Sequence, residues 1–425
     1  MMRAVTGGMP ECATSCWRGI RVPMHTGRAL LAPMLLVPML LAALACRSDA
    51  SPEGPAGEPA VRDSAGVRIV EHPGALGDAP IEVTLVWEHG RRPDDYPFNT
   101  VFFGALQPDG GAVIGDVGNR EVPWFGPDGS SRGLLAPRGQ GPAEVGTPVS
   151  VLVSGQDSVW IDDQGNVRLA RFERGTLAET IPGRLTDRMS LMGLAPDGTL
   201  LLHTSRYMSR FPQPWLDGHV ARFDPVAGTL DTIASYPMAP HRPETGIPLF
   251  VDGYGVVTGA GEGYIQARTD LAEVVWRAPT GAVTQVVRWR PEPRYADQEM
   301  WDLFEENLRA SLTRVNPGMP SERLDEFLDQ QVASYTLDVT TPLPAFSQLV
   351  RGNASGEVWL PDFTPPGRDA TGYHVLAADG TSFGRAVFPR PIRVVAVTEN
   401  LVLGTHTDEI GVVSAGVYRW SRPTR

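Results

Sequence analysis

The sequence predicts an all-β chain: a six-bladed β-propeller carrying a small αα-hairpin insertion. Three observations predict it. Glycine and proline number 46 and 39 in 425 residues, well above ordinary usage and suited to many short strands joined by tight turns. A pattern of strand, turn and strand recurs at a spacing of about 40–50 residues, which is how propeller blades look in sequence. One segment, residues 298–334, switches from strand-like alternation to helical periodicity.

The repeat is clearest near the start. Ile114, Asp116, Gly118, Asn119 and Phe125 match Ile161, Asp163, Gly165, Asn166 and Phe172 at a constant offset of 47 residues. Each copy runs from a Gly-containing turn into a short apolar strand, then a polar corner, then a second strand ending in an aromatic. Fainter copies follow Pro196-Asp197-Gly198 and Gly356, precede Tyr264-Ile265, and end in Val417-Tyr418-Arg419-Trp420. Six units result, at residues 104–145, 148–187, 190–237, 248–291, 345–389 and 392–422. The last is short, and the strand-like segments within residues 66–87 are expected to complete it, closing the ring so that no sheet edge stays open. Between the fourth and fifth units, Trp301, Phe304, Leu308 and Leu312 and then Leu324, Phe327, Leu328 and Val332 lie on two helix faces, separated by Asn316-Pro317-Gly318-Met319-Pro320. Their outward acids, such as Glu305 and Asp325, suit a solvated lid, or an element that docks a partner.

The chain start is expected to be a targeting segment. Arg28 precedes an uncharged run, residues 29–45, too short for a spanning helix and suited to a signal-peptide core. It ends Leu44-Ala45-Cys46 and turns polar at once, which resembles a bacterial lipoprotein signal with Cys46 as the lipidated residue; Ala43 stands where such signals usually carry leucine. The expected organisation is a leader and signal at 1–45, a flexible Ser/Pro/Gly-rich tether at 46–62, the propeller at 63–422 and the helical insertion at 294–340. The three cysteines are Cys12, Cys16 and Cys46, so nothing beyond residue 46 can form a disulfide, a thiolate metal site or a cysteine nucleophile. A net charge of −12 argues against a nucleic-acid face.

Three segments carry a family resemblance: Asp63-Ser64-Ala65-Gly66-Val67-Arg68-Ile69-Val70, the joint Gly139-Gln140-Gly141-Pro142-Ala143-Glu144-Val145, and the corner Asp116-x-Gly118-Asn119-Arg120. With them the chain resembles bacterial six-bladed propeller lipoproteins of the NHL-repeat and TolB-like kind. Val145 replaces the aromatic expected in the joint. The resemblance implies a propeller exported to the cell envelope and anchored to the outer membrane through its N-terminal lipid. It implies no particular reaction.

Motifs for chemistry are sparse. Gly139-Gln140-Gly141-Pro142-Ala143-Glu144 has Glu where a dinucleotide fingerprint needs its third glycine, and no helix pattern follows. Gly380-Thr381-Ser382-Phe383-Gly384 matches a nucleophile elbow, but it follows a turn, and His406 precedes Asp408, the reverse of the hydrolase order. His203, His374 and His406 fall near strand ends in three units. Trp124, Trp160, Trp359 and Trp420 are expected in the core between blades. The corner residues Asp116, Asn119, Asp163, Asn166 and Asp362 are the candidate site: crowded at one channel mouth they could hold Ca²⁺, whereas their simpler role is to accept backbone N–H bonds in the corner turns. No other cofactor is expected. The expected function is an envelope-anchored binding or scaffold propeller for a protein, peptide or small molecule, without catalysis. The alternative is a metal-dependent hydrolase or lyase resembling the gluconolactonase-type fold, with its site at the channel.

Overall fold

The structure, a computed structural model, describes residues 57–155, 157–183, 189–204, 215–240, 247–250, 253–316, 318–365 and 368–422. Cys46 and the leader lie outside the described residues. Six antiparallel sheets form the six blades. Blade I comprises strands Val101–Leu106, Ala112–Asp116, Val122–Phe125 and Ser131–Ala136, ordered from the innermost outward. Blade II repeats the order with Pro148–Ser154, Ser158–Asp163, Arg168–Glu173 and Thr176–Pro182. The innermost strands of blades III to VI are Met189–Leu194, Gly255–Ala260, Arg351–Gly352 and Arg393–Val397. Each innermost strand touches the next, and that of blade VI touches that of blade I, so the ring closes around a central channel.

The second strand of each blade explains why the blades pack. Ala112–Asp116 is buried along its whole length, as is Val358–Pro361, because both faces of a blade meet a neighbouring blade and every side chain, not every second one, is covered. The resulting cores straddle blade boundaries. Trp359, Tyr373 and Phe388 of blade V pack with Val394, Tyr418 and Trp420 of blade VI, and the Trp359 and Trp420 rings meet edge to face at 5.2 Å.

The N-terminal segment departs from expectation. The strand-like segments near residues 66–87 do not all complete the last blade. They divide into strands β1 (Ala60–Ser64), β2 (Val67–Glu71), β3 (Pro80–Ile81) and β4 (Val83–His89). Only β4 closes blade VI, antiparallel to Val413–Trp420. Strand β2 adds in parallel to the outer edge of blade IV, with Ile69 opposite Val286, and β3 adds to the outer edge of blade V. The reason is burial as well as edge closure. Val70 is fully buried and joins Leu76, Val274, Val287 and Trp289 in one core, and Ile81 joins the core of blades V and VI. The segment is therefore a strap across three blades, and β1 begins at Ala60, within the stretch expected to be tether.

The insertion is helical as its periodicity predicts. Helix α1 (Gln298–Val315) starts at Asp297, whose carboxylate accepts the Met300 amide, and helix α2 (Ser321–Val332) follows Pro320. After α2, Tyr335–Leu337 pairs in parallel with Ile247–Leu249 from the beginning of blade IV. Phe304 packs against Phe250 and Tyr335, giving the hairpin a small core of its own.

Candidate functional site

The corner acids occupy equivalent places but serve the backbone. Asp116 and Asp163 end the second strands of blades I and II, and both are fully buried. The Asp116 carboxylate accepts the amides of Asn99, Thr100, Gly118 and Asn119 at 2.9–3.1 Å, and the Asn119 side chain at 2.9 Å. Asp163 accepts the amides of Gly146 and Thr147 at 2.9 Å, with the Asn166 side chain at 2.6 Å and the Arg168 guanidinium at 3.5 Å. Each aspartate thus ties the start of its blade's inner strand to the corner of the second strand. In blade IV the Thr269 hydroxyl accepts the Tyr254 amide at the same corner. Asp362 in blade V instead pairs with Arg385.

None of Asp116, Asn119, Asp163, Asn166 and Asp362 lines the central channel. Among the described residues, no three His, Cys, Asp or Glu side chains converge to hold a metal ion. The carboxylates among these five are engaged by amides, at Asp116 and Asp163, and by a guanidinium, at Asp362. The three histidines are also apart in role. His203 lines the channel. His374 lies 3.8 Å from Asp362 and 3.9 Å from Asp78 of the strap. His406 contacts the Pro391 carbonyl.

The joint at residues 138–145 is architectural. Asn166 donates to the Gly139 carbonyl, Arg168 to those of Gly141 and Glu144, and the Glu144 carboxylate accepts the Gly141 amide. A Cβ at Gly139 would meet the end of the Glu144 side chain, so a residue there would displace this folded-back carboxylate. Ser382 of the elbow-like motif begins a strand, not a helix, after a turn in which Asp379 accepts the Thr381 amide.

The channel itself is a cavity of about 1480 Å³. Its walls are inner-strand residues such as Leu152, Met192, Thr258 and Ala396, with Phe102 half exposed at 51%. Glycines let the strands come this close. A Cβ on Gly259 would lie 2.4 Å from the Met192 carbonyl oxygen, and one on Gly352 would lie 2.3 Å from that of Gly259. Polar groups line it as well, several of them fixed by hydrogen bonds. Ser150 accepts the Leu191 amide across blades II and III. Arg351 donates from Nε to the Val395 carbonyl at 3.1 Å and from Nη1 to the Val350 carbonyl at 2.9 Å, bridging blades V and VI. Burial pushes its guanidinium down to about 10, and the nearby charge of Arg393 acts in the same direction, so it stays cationic at neutral pH. Arg393 stacks over Phe102 with its Cζ 5.2 Å from the ring centre, and pairs with Asp369.

Sequence reasoning missed Arg351 and Phe102. A signal was present: positions that other inner strands fill with Val, Leu, Met or Thr carry a charge in Val350-Arg351-Gly352. Finding it required the inner-strand register of blade V, which is only two residues long.

No protein-family model matches the chain, and no curated protein sequence matches it. Several solved structures are similar in fold. A protein of Bacteroides fragilis described as exported shares 9% identity over 84% of this chain and 99% of its own, with a TM-score of 0.47. A DUF4221-family member from Bacteroides vulgatus shares 9% over 87% and 100%, with a TM-score of 0.45. A gluconolactonase of Xanthomonas campestris shares 13% over 88% and 99%, with a TM-score of 0.39.

Proposed function

We propose that this protein is an exported, lipid-anchored propeller that binds a ligand in its central channel and carries out no reaction there. The observation that carries the reading is the channel: a cavity of about 1480 Å³ walled by six inner strands, where apolar side chains such as Leu152 and Met192 stand beside polar ones such as Ser150, Arg351 and Asn353. That is the composition of ligand sites in general. Of the corner carboxylates that a metal-dependent hydrolase or lyase would draw on, Asp116 and Asp163 are spent on backbone amides and Asp362 on Arg385, which favours binding over catalysis. Export and anchoring rest on the sequence: the apolar run before Cys46 and the polar segment after it. Labelled palmitate should enter the wild-type chain in cells and not Cys46→Ser.

The channel reading has its own test. Thr258 and Ala396 are small, partly buried wall residues from blades IV and VI. Thr258→Trp and Ala396→Trp, each retaining a cooperative melt, should lower the affinity of any ligand bound here by tenfold or more, roughly the effect of filling an apolar site. Unchanged affinity in both variants would place the ligand elsewhere.

A further inference from the structure

We infer that the channel selects organic anions, holding a carboxylate on Arg351 while an apolar body lies along the inner strands; this rests on the channel-binding reading above. The ionised groups along the cavity differ in what already occupies them. Asp109 pairs with Arg132, and Glu399 accepts the Ser355 hydroxyl. Arg419 lies on the wall and is exposed. Arg351 is partly buried, and among the described residues no carboxylate lies within ion-pair distance of it. Its guanidinium carries five N–H donors in a rigid plane. The Val350 and Val395 carbonyls take two of them, which fixes the plane before any ligand arrives and leaves donors for a further acceptor.

The physical consequences are specific. A guanidinium screened from bulk water attracts an anion more strongly than an exposed one does, and its charge-assisted hydrogen bonds are about twice as strong as neutral ones. Its orientation is set by the backbone, so little ordering cost falls on binding. Arg351 lines the same channel as Leu152, Met192 and Val395 and suits one negative charge on an apolar body, since Arg393 pairs with Asp369 and Arg419 is exposed. A polyphosphate or an acidic peptide would leave charges unpaired against apolar walls. The carboxylate could come from a free amphipathic acid or from the C-terminus of an apolar peptide, and the same guanidinium would read either.

The test uses the full chain as Cys46→Ser, with two pairs of probes. One pair is 11-(dansylamino)undecanoic acid and its primary amide; the other is an apolar pentapeptide with a free or an amidated C-terminus. For at least one pair the acid should bind tenfold or more tighter than the amide, roughly the value of one charge-assisted contact. Which pair responds identifies the source of the carboxylate. Arg351→Gln should erase the acid preference while leaving amide binding within about threefold, and Arg351→Lys should retain part of it. Because Arg351 also joins two blades, a second measurement avoids the substitution. The acid, but not the amide, should protect Arg351 of the unsubstituted site from modification by phenylglyoxal. Equal binding of acid and amide, both weakened by Thr258→Trp, would overturn the anion inference and leave the channel reading standing. Binding of neither probe pair would overturn both.

Discussion

At the scale of single residues, buried aspartates and close-approach glycines do the work that the sequence motifs advertise. Removing the Asp163 carboxylate leaves the Gly146 and Thr147 amides without their acceptor. Asp163→Ala should therefore cost about 3 kcal/mol, the scale of lost bonds to a charged group plus stranded donors, read by urea denaturation. Gly259→Ala places a Cβ against the Met192 carbonyl and should cost about 1–3 kcal/mol by overpacking. Gly74→Ala, with nothing within 4 Å of the added atom, is its control and should be near neutral. The corner role of Asp116 and Asp163 was legible because both copies keep Asp and Asn at the same offset, a pattern that suits Asx turns. The occupancy of their oxygens was not, since the donors at Asn99, Thr100, Gly146 and Thr147 sit 16 or 17 residues away in sequence.

His374 gives the residue scale a pH signature. Burial pushes its imidazole below the ordinary value, aided by Arg385, while Asp362, Asp78 and the Gly77 carbonyl pull it up. With the folded value depressed, the unfolded chain takes the proton more readily. Stability from this site is then complete above the ordinary histidine value of about 6.5 and falls as the pH drops through the folded value. The melting temperature should fall on acidification from pH 7.5 to 5, and less so in His374→Gln. Equal acid sensitivity of the two chains would remove the histidine from the explanation.

At the scale of elements, the strap and the helical hairpin show what periodicity can and cannot reveal. The hairpin was legible because Trp301, Phe304 and Leu308, then Leu324 and Leu328, fall on helical faces, and α1 and α2 bury Phe304, Leu324 and Leu328. Its attachment was not legible. The pairing of Tyr335–Leu337 with Ile247–Leu249 joins three-residue strands that no period marks. The same limit applies to β2 and β3, since an alternating strand states which face is buried but not which edge it joins. Phe304→Ala should loosen the hairpin without melting the blades. Limited proteolysis should then cut within residues 298–332 at least about tenfold faster, the effect of losing a kcal/mol or more of local stability, while the main thermal transition stays in place.

At the scale of the whole molecule, ring closure makes the blades one body. Strand β4 is the outer strand of blade VI and buries Trp87. β1 is exposed along its whole length. Deleting residues up to 66 should leave the melting temperature nearly unchanged. Deleting residues up to 89 should lower it by roughly 10 °C or more, given a loss of several kcal/mol in a chain of this size. The central claim is that the channel, not the rim, the hairpin or the outer edges, holds the ligand. Photoaffinity labelling tests it most directly, using a diazirine-bearing amphipathic carboxylic acid and mapping the labelled peptides by mass spectrometry. The account predicts labels on the inner strands around Leu152, Met192, Thr258 and Ala396, suppressed by unlabelled acid. Labels confined to α1 and α2 or to the outer strands, equally suppressible, would contradict it.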